Sequence, residues 1–140
     1  MNRLPNFAWY LILILIVIGC KQNVKEESFN FTTPDEKILY ELMVERFNAL
    51  SARDMDRLNQ IYSKNSQDLG WISKEVMPIL NSWPARYKIR KIEKLSIIGN
   101  DAAGRFKINV DNDYKIKTKK VDVLYIKEDS TWKIESVIEL

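Results

Sequence analysis

The sequence predicts an α+β domain in which helices come first and an antiparallel sheet follows. Apolar residues recur at spacings of three and four up to about residue 80, and from Arg86 onward they alternate with polar residues. Such a separation of helices and strands along a chain favours helices laid on one face of a curved sheet. A third observation, an apolar stretch that ends at Cys20, indicates an export segment ahead of the domain.

Residues 1–19 have the layout of an export signal. Arg3 lies in a short start without acidic residues, and an apolar core runs from Phe7 to Ile18. At about 1.5 Å per helical residue this core spans roughly 18 Å, against about 30 Å of bilayer hydrocarbon, so a cleaved signal fits better than a permanent membrane helix. We therefore expect a signal peptide at 1–19, a tether at 20–32 and a folded domain at 33–140.

The end of the signal is more specific than its apolar core. Val17-Ile18-Gly19-Cys20 resembles the lipobox of bacterial lipoproteins. The resemblance implies lipidation of Cys20 through a thioether, cleavage before it and acylation of the new amino terminus; two or more acyl chains anchor a protein stably. Lys21 stands where these families place a sorting signal on Asp, which favours the outer membrane, facing the periplasm. The alternative is an uncleaved anchor in which Cys20 is an unmodified thiol.

Three helices are expected in the first half of the domain. Thr33, Pro34 and Glu36 form a capping-box pattern that begins the first helix, which should run to about Ser51. Its buried stripe consists of Leu39, Leu42, Met43, Phe47 and Leu50, and the charged residues Glu36, Glu41, Glu45 and Arg46 are placed largely off this stripe. Asp54 caps a second helix that Asn65-Ser66 should end. A third short helix is expected at Trp71 to Leu80, although Pro78 removes an internal hydrogen bond.

Four strands are expected after the helices. In the first, Tyr87 to Ile98, the apolar residues change parity between Ile89 and Ile92, which indicates a bulge or bend. Turn residues separate successive strands, so the sheet should be an antiparallel meander. The remaining strands are expected at Gly104 to Val110, Lys119 to Lys127 and Trp132 to Leu140.

Composition excludes several classes of chemistry. The chain has no histidine and a single cysteine, which removes the commonest general base and metal ligand as well as thiol chemistry within the domain. Its net charge of only +3 gives no general electrostatic case for nucleic acid. We therefore expect no metal, no cofactor and no nucleic-acid partner, and no catalytic set is recognisable.

Two further segments resemble the NTF2-like, or SnoaL-like, family. They are Phe47 to Leu58, similar to the family's first hinge and second helix, and the hairpin from Asp129 to Ile134 that leads into the last strand. The resemblance implies a cone-shaped α+β fold and, in many members, dimerisation through the sheet face. Isomerase members use a carboxylate base with a Tyr and an acid. Here Phe47 stands near the place of that Tyr, and Asp68 is a candidate base that is more simply read as a solvated turn residue.

Two sets of residues are candidates for binding. If the cone has a pocket, aromatic side chains with polar tips can line it, although core filling is the simpler role for each ring and for Trp132 in particular. The candidate lining residues are Tyr40, Tyr62, Trp71, Trp83, Tyr87 and Tyr125. Basic residues can form one positive surface for an anionic partner, or they can protect exposed strands from aggregation. They are Arg86, Lys88, Arg90, Lys115, Lys117, Lys119 and Lys120, with Lys91 and Lys94 nearby.

These observations predict a lipid-anchored protein of the bacterial cell envelope with a non-enzymatic NTF2-like domain. It would bind a small apolar ligand or an envelope protein, and it can form a homodimer. The alternative is an isomerase or dehydratase type of enzyme that uses carboxylate and Tyr acid-base chemistry inside the cone. A raised carboxyl pKa in an apolar cavity favours the enzyme, and a pocket plugged by side chains favours a purely structural role.

Overall fold

The computed structural model describes residues 29–82 and 84–140. The expected signal peptide, Cys20 and Trp83 lie outside these residues. The described part contains four helices followed by four strands. The helices are α1 (Pro34–Ala52), α2 (Met55–Ile61), α3 (Lys64–Asp68) and α4 (Trp71–Leu80), and the strands are β1 (Arg86–Ile98), β2 (Asp101–Asp111), β3 (Ile116–Glu128) and β4 (Thr131–Glu139).

Helix α1 begins at the predicted cap. The Thr33 hydroxyl accepts the N–H of Glu36 at 3.3 Å, Pro34 occupies the first turn, and the Glu36 carboxylate accepts the N–H of Thr32 at 2.7 Å. These contacts satisfy two amide donors that a helix start leaves unpaired. The helix ends where Arg53 adopts a left-handed conformation with φ of 54°. The predicted first helix is therefore confirmed at both ends.

Asn65-Ser66 does not end the helical region as expected. It lies inside the short helix α3, which Ser63 caps by accepting the N–H of Ser66 at 2.9 Å. The Glu128 carboxylate also accepts the N–H of Lys64, at 3.0 Å. The new helix forms because a side-chain cap and a carboxylate from β3 satisfy its first amides, a contact that local sequence does not reveal.

Helix α4 spans the ambiguous stretch that contains Pro78. Because Pro78 lies close to the end of the helix, its missing N–H leaves only the Lys74 carbonyl without an intrahelical donor. Of the helices formed by residues 29–82 and 84–140, none is long and apolar enough to cross a membrane.

The four strands form one antiparallel sheet in the order β1-β2-β3-β4. Gly99-Asn100 joins β1 to β2, with Gly99 at φ of 60°, and Asp129-Ser130 joins β3 to β4, with φ of 48° and 64°. Positive φ in two-residue loops matches the right-handed twist of the flanking strands. The predicted meander is confirmed.

Strand β1 contains two irregularities where the sequence predicted one. The register with β2 shifts between Ile89 and Lys91 and again between Ile92 and Lys94. The second shift keeps Leu95 and Ile97 on the same face as Ile92, opposite Gly104 and Ala102 of β2. Two bulges in one edge strand increase the local twist and bend the sheet into a concave surface.

Strand β3 begins at Ile116, three residues before the predicted start at Lys119. The added residues pair with the end of β2, where Lys117 lies opposite Val110 and Ile116 opposite Asp111. Pairing with β2 therefore extends β3 through Ile116, Lys117 and Thr118, and the β-branched Ile116 and Thr118 themselves favour a strand.

The hydrophobic core lies between the helices and the concave face of the sheet. At one end of the sheet, which we call the closed end, side chains fill the core and the Tyr125 hydroxyl donates to the Leu39 carbonyl at 3.0 Å. Phe29 and Phe31 pack against Tyr40, with ring centroids 5.0 and 5.4 Å from the centroid of the Tyr40 ring. The closed end is formed by Val123, Tyr125, Trp132 and Ile134.

Candidate functional site

A cleft of about 540 Å³ opens between α1, α4 and the opposite end of the concave sheet face, which we call the open end. Every second residue of the strands contributes to its floor, because successive side chains of a strand point to opposite faces of the sheet. Its walls are mainly apolar and its rim is mainly basic. Lining residues are Arg46, Phe47, Lys74, Glu75, Pro78, Ile79, Ser82, Ala85, Tyr87, Ile108, Val110, Asn112, Lys115, Lys117, Lys119, Val121, Val137 and Glu139.

Arg46 is the most unusual residue of the cleft. Its side chain is 3% exposed, and its Nε donates to the Tyr62 hydroxyl at 2.9 Å. The guanidinium also lies 5.7 Å from the centroid of the Phe47 ring. Within residues 29–82 and 84–140, no carboxylate forms an ion pair with Arg46. A buried cation with one hydrogen bond and no counter-ion is costly, and it normally has a partner.

Tyr62 connects Arg46 to a buried carboxyl group. The Tyr62 hydroxyl lies 3.4 Å from Oε2 of Glu75, and the Val137 N–H donates to the Glu75 carboxylate at 3.1 and 3.2 Å. Burial raises the pKa of Glu75, and the Val137 N–H, the Arg46 charge and Tyr62 only partly offset this. Burial likewise raises the pKa of Tyr62. A cation, a phenol and a carboxyl group are therefore linked in a row, with Arg46 and Glu75 lining the cleft and Tyr62 behind it.

The helix periodicity explains how these charged groups reach the interior. Arg46 lies three residues after Met43 and seven after Leu39, which places it on the buried stripe of α1. The expectation that Arg46 lies off this stripe is wrong. Glu75 lies three residues after Ile72 on the inner face of α4. A charged residue at a stripe position was the signal that the sequence carried for both.

Lysines form most of the cleft rim. Lys117 and Lys119 lie on the same concave face of β3 as Val121 and are nearer to the open end. Lys115 lies in the turn before the strand. Lys119 pairs with Glu139 of β4. Among the described residues, Lys115 and Lys117 make no ion pair. The rim is therefore positive, and it lies on the same side as Arg46.

The aromatic residues proposed as pocket lining take different positions. Tyr87 lines the cleft, where its ring stacks on Phe47 at 5.0 Å, and burial raises its pKa. Tyr62 lies directly behind the cleft through its hydroxyl contacts. Tyr40 lines a separate hollow of about 300 Å³, beside Phe29 at the edge of β1.

The other aromatic candidates lie away from the cleft. Tyr125 is buried at the closed end, where burial raises its pKa well above the usual range. Trp71 is exposed on α4 with the Lys74 ammonium 5.2 Å from its ring centroid. Trp132 is buried in the core. Trp83 is not among the residues described.

The proposed basic surface is divided between the two faces of the sheet. Lys115, Lys117 and Lys119 line the cleft, whereas other members of the set carry partners elsewhere. Arg86 pairs with Asp111 at 3.1 Å and Asp113 at 2.6 Å, and Lys120 pairs with Glu93 at 3.1 Å. Lys88 and Arg90 are exposed on the edge strand β1, and Lys91 and Lys94 border a shallow hollow beside Phe31. A single continuous patch is therefore not formed.

The structure also places the two residues suggested by the isomerase comparison. Asp68 is exposed at the end of α3 and does not line the cleft. Phe47 lines the cleft but carries no polar group. Glu75, not Asp68, is the carboxyl group that the fold brings to the cleft. In the described part of the chain, no three acidic or cysteine side chains are grouped as a metal site would require.

The arrangement is suited to holding a ligand with an apolar body and polar end. Phe47, Ile79 and Val110 offer apolar contact, and Arg46 offers unpaired guanidinium donors. Such a combination of apolar walls and a few convergent polar groups is typical of small-molecule sites.

Comparison with known proteins gives similarity of fold. No protein-family profile and no curated protein matches the chain. An NTF2-like protein of unknown function from Shewanella oneidensis MR-1 superposes with a TM-score of 0.58 at 16% identity, covering 75% of this chain and 98% of that chain. A second NTF2-like protein of unknown function, from Pseudomonas putida KT2440, superposes with a TM-score of 0.62 at 11% identity, covering 77% of this chain and 87% of that chain.

A third neighbour, an NTF2-like protein of unknown function from Shewanella baltica OS155, gives a TM-score of 0.52 at 15% identity, covering 80% and 97%. At these identities the likeness concerns the fold and not the activity. It agrees with helices packed on a curved, four-stranded antiparallel sheet. The chain therefore has the NTF2-like α+β cone fold that its sequence predicted.

Proposed function

We propose that this protein is a lipid-anchored envelope protein whose NTF2-like domain binds a small molecule in the open-end cleft. The observation that carries the proposal is the cleft itself, which has about 540 Å³ of space, apolar walls and unpaired donors on Arg46. A core residue placed only for stability would not leave a buried cation facing such a space. Binding without chemistry requires no more than these groups.

The location within the cell is the second component of the proposal. The lipobox-like segment Val17-Ile18-Gly19-Cys20 supports processing before Cys20 and acylation of its thiol and amino terminus. Lys21 supports sorting to the outer membrane. The domain would then meet its ligand, or a protein partner of the envelope, in the periplasm.

Native mass spectrometry of the full-length protein, expressed with its own leader and extracted in a non-ionic detergent, tests both components. We expect a chain that lacks residues 1–19 and carries acyl mass on Cys20. We also expect an additional non-covalent mass that is lost on denaturation. A chain that retains Met1 without modification would overturn the anchor.

Two variants serve as controls. Cys20→Ala should prevent acylation without removing the ligand. Val110→Trp fills the floor of the cleft and should remove the ligand while processing at Cys20 continues. If the non-covalent mass persists in Val110→Trp, the ligand lies elsewhere and the cleft is not the binding site.

A second candidate function is acid-base catalysis in the same cleft. The observation that favours it is Glu75, whose pKa is raised by burial and whose carboxyl group lies beside the Tyr62 hydroxyl. A carboxyl group with a raised pKa next to a phenol is a candidate for taking up and returning a proton. However, Val137 and Tyr62 already occupy its oxygens. Turnover of the retained ligand by the native protein, abolished in Glu75→Gln, would replace the binding function with this one.

A further inference from the structure

We propose that the ligand of the cleft is an anion with an apolar body, and that its acidic group pairs with Arg46. This inference rests on the proposed function, since it names the chemical class that the cleft would bind. Carboxylates, phosphates and sulfonates share the required chemistry: oxygen acceptors that can receive two parallel N–H donors from a guanidinium.

The first argument is the contrast between Arg46 and other arginines of the fold. Arg57 donates to both oxygens of Glu45 at 2.8 and 2.9 Å, and Arg105 donates to both oxygens of Asp122. These pairs are partly exposed, and an ion pair in such a position contributes little to stability. Arg46, which is 3% exposed, has the strongest need for a counter-ion and has none among the described residues.

The second argument concerns which donors of Arg46 remain free. Its Nε is occupied by the Tyr62 hydroxyl, which fixes the guanidinium against the Phe47 ring. Within the described residues the two terminal nitrogens have no hydrogen-bond partner, and Arg46 lines the cleft. A guanidinium held by one edge with its other edge open is prepared for a bidentate acceptor.

The third argument is that Glu75 does not serve as this acceptor. Its oxygens accept the Val137 N–H, and Oε2 also lies 3.4 Å from the Tyr62 hydroxyl. Tyr62 therefore stands between the two charges and holds both in place. Among the described residues, none occupies the place beside the terminal nitrogens.

The fourth argument is the charge of the rim. Lys115 and Lys117 make no ion pair within the described residues, and both line the entrance to the cleft. Positive charge around a cleft raises the local concentration and the association rate of anions. Lys117 lies on β3, an inner strand, so protection of a sheet edge does not explain it.

The proposal is tested with two probes that share one carbon skeleton and differ in the end group, which is a carboxylate in 4-phenylbutyrate and a hydroxyl in 4-phenylbutan-1-ol. The shift in melting temperature, followed by intrinsic tryptophan fluorescence, reports binding to the full-length processed protein in non-ionic detergent. The variants are Arg46→Met, Arg46→Lys and Val110→Trp. Arg86→Met is the matched control, because Arg86 lies outside the cleft and pairs with Asp111 and Asp113.

We expect the acid to bind the native protein about ten- to one-hundredfold more tightly than the alcohol, the range expected for a hydrogen bond to a charged group. Arg46→Met should lose this preference but still bind the alcohol, and Arg86→Met should keep it. Arg46→Lys, which retains the charge but not the fork of donors, should keep a smaller preference. If Arg46→Met does not melt cooperatively, Arg46→Lys is the variant that tests the inference.

Two results overturn the inference in distinguishable ways. If both probes bind the native protein and Arg46→Met equally, and neither binds Val110→Trp, the cleft binds small molecules but does not select anions. If neither probe shifts the melting temperature of the native protein, the proposed function fails together with the inference.

Discussion

The closed and open ends of the concave sheet face differ in packing and in the charge that they bury, since the closed end buries the neutral Tyr125 hydroxyl and Trp132 indole and the open end buries the Arg46 guanidinium. At the closed end the Tyr125 hydroxyl has its acceptor in the Leu39 carbonyl, and the surrounding side chains fill the space. At the open end Arg46 has one hydrogen bond and no counter-ion among the described residues, and a cleft replaces the packing. On the function proposed above, the packing at the closed end stabilises the fold and the space at the open end holds the ligand.

The prediction with the largest expected effect compares the truncation of one isoleucine at each end. Ile134 is fully buried at the closed end, so Ile134→Ala should lower the free energy of unfolding by about 2–5 kcal/mol. Ile79 lines the cleft and is only partly buried, so Ile79→Ala should cost about 1 kcal/mol or less. Urea unfolding with a common m-value measures both. Equal losses would mean that the open end is packed as tightly as the closed end.

The second test predicts opposite signs at the two ends. Arg46→Met removes a buried charge without a counter-ion and should raise the free energy of unfolding by about 1 kcal/mol. Tyr125→Phe removes the donor to the Leu39 carbonyl and should lower it by about 1 kcal/mol. Thermal and chemical unfolding of the two variants report the signs. A clear loss of stability in Arg46→Met would assign Arg46 to the structural framework.

The smallest effect is a pH dependence specific to Glu75. Because burial raises its pKa above the ordinary value of 4.5, the folded state binds this proton more tightly than the unfolded state. The stability from Glu75 is thus fully present below about pH 4.5 and is lost as the pH rises through the raised pKa. The native protein should therefore lose stability relative to Glu75→Gln across this interval.

The difference in stability between the native protein and Glu75→Gln separates the contribution of Glu75 from those of the other carboxyl groups. Hydrogen bonds from Arg57 and Arg105 lower the pKa values of Glu45 and Asp122, so their stabilisation is lost as the pH falls. Those contributions are present in both proteins and cancel in the comparison. Parallel stability curves for the native protein and Glu75→Gln between pH 4 and about 7 would contradict the buried position of Glu75.

Sequence periodicity predicted most of the fold because each element carries a local signal. The cap at Thr33, the alternation in β2 and the turn at Asp129-Ser130 all act within a few residues. The helix α3 and the second bulge of β1 were not predicted, since Glu128 and the β2 register supply their stability from distant parts of the chain. Local patterns do not contain such contacts.

The candidate site was only partly predictable, for a related reason. The residue types identified Tyr87, Lys117 and Lys119, which the structure places at the cleft. Arg46 and Glu75 were missed because charged residues are normally assigned to solvent. Their positions on apolar helix stripes were visible in the sequence, and a charge at such a position deserves to be treated as a candidate ligand contact.

The packing of Phe29 against Tyr40 limits how far the domain can stand from a membrane. If Cys20 carries the proposed lipid, only the chain from residue 20 to residue 29 separates the anchor from the first packed ring. Even fully extended, nine residue steps cover at most about 30 Å. The cleft would therefore exchange its ligand within roughly one domain diameter of the lipid headgroups, which favours molecules that are made, delivered or released at that surface.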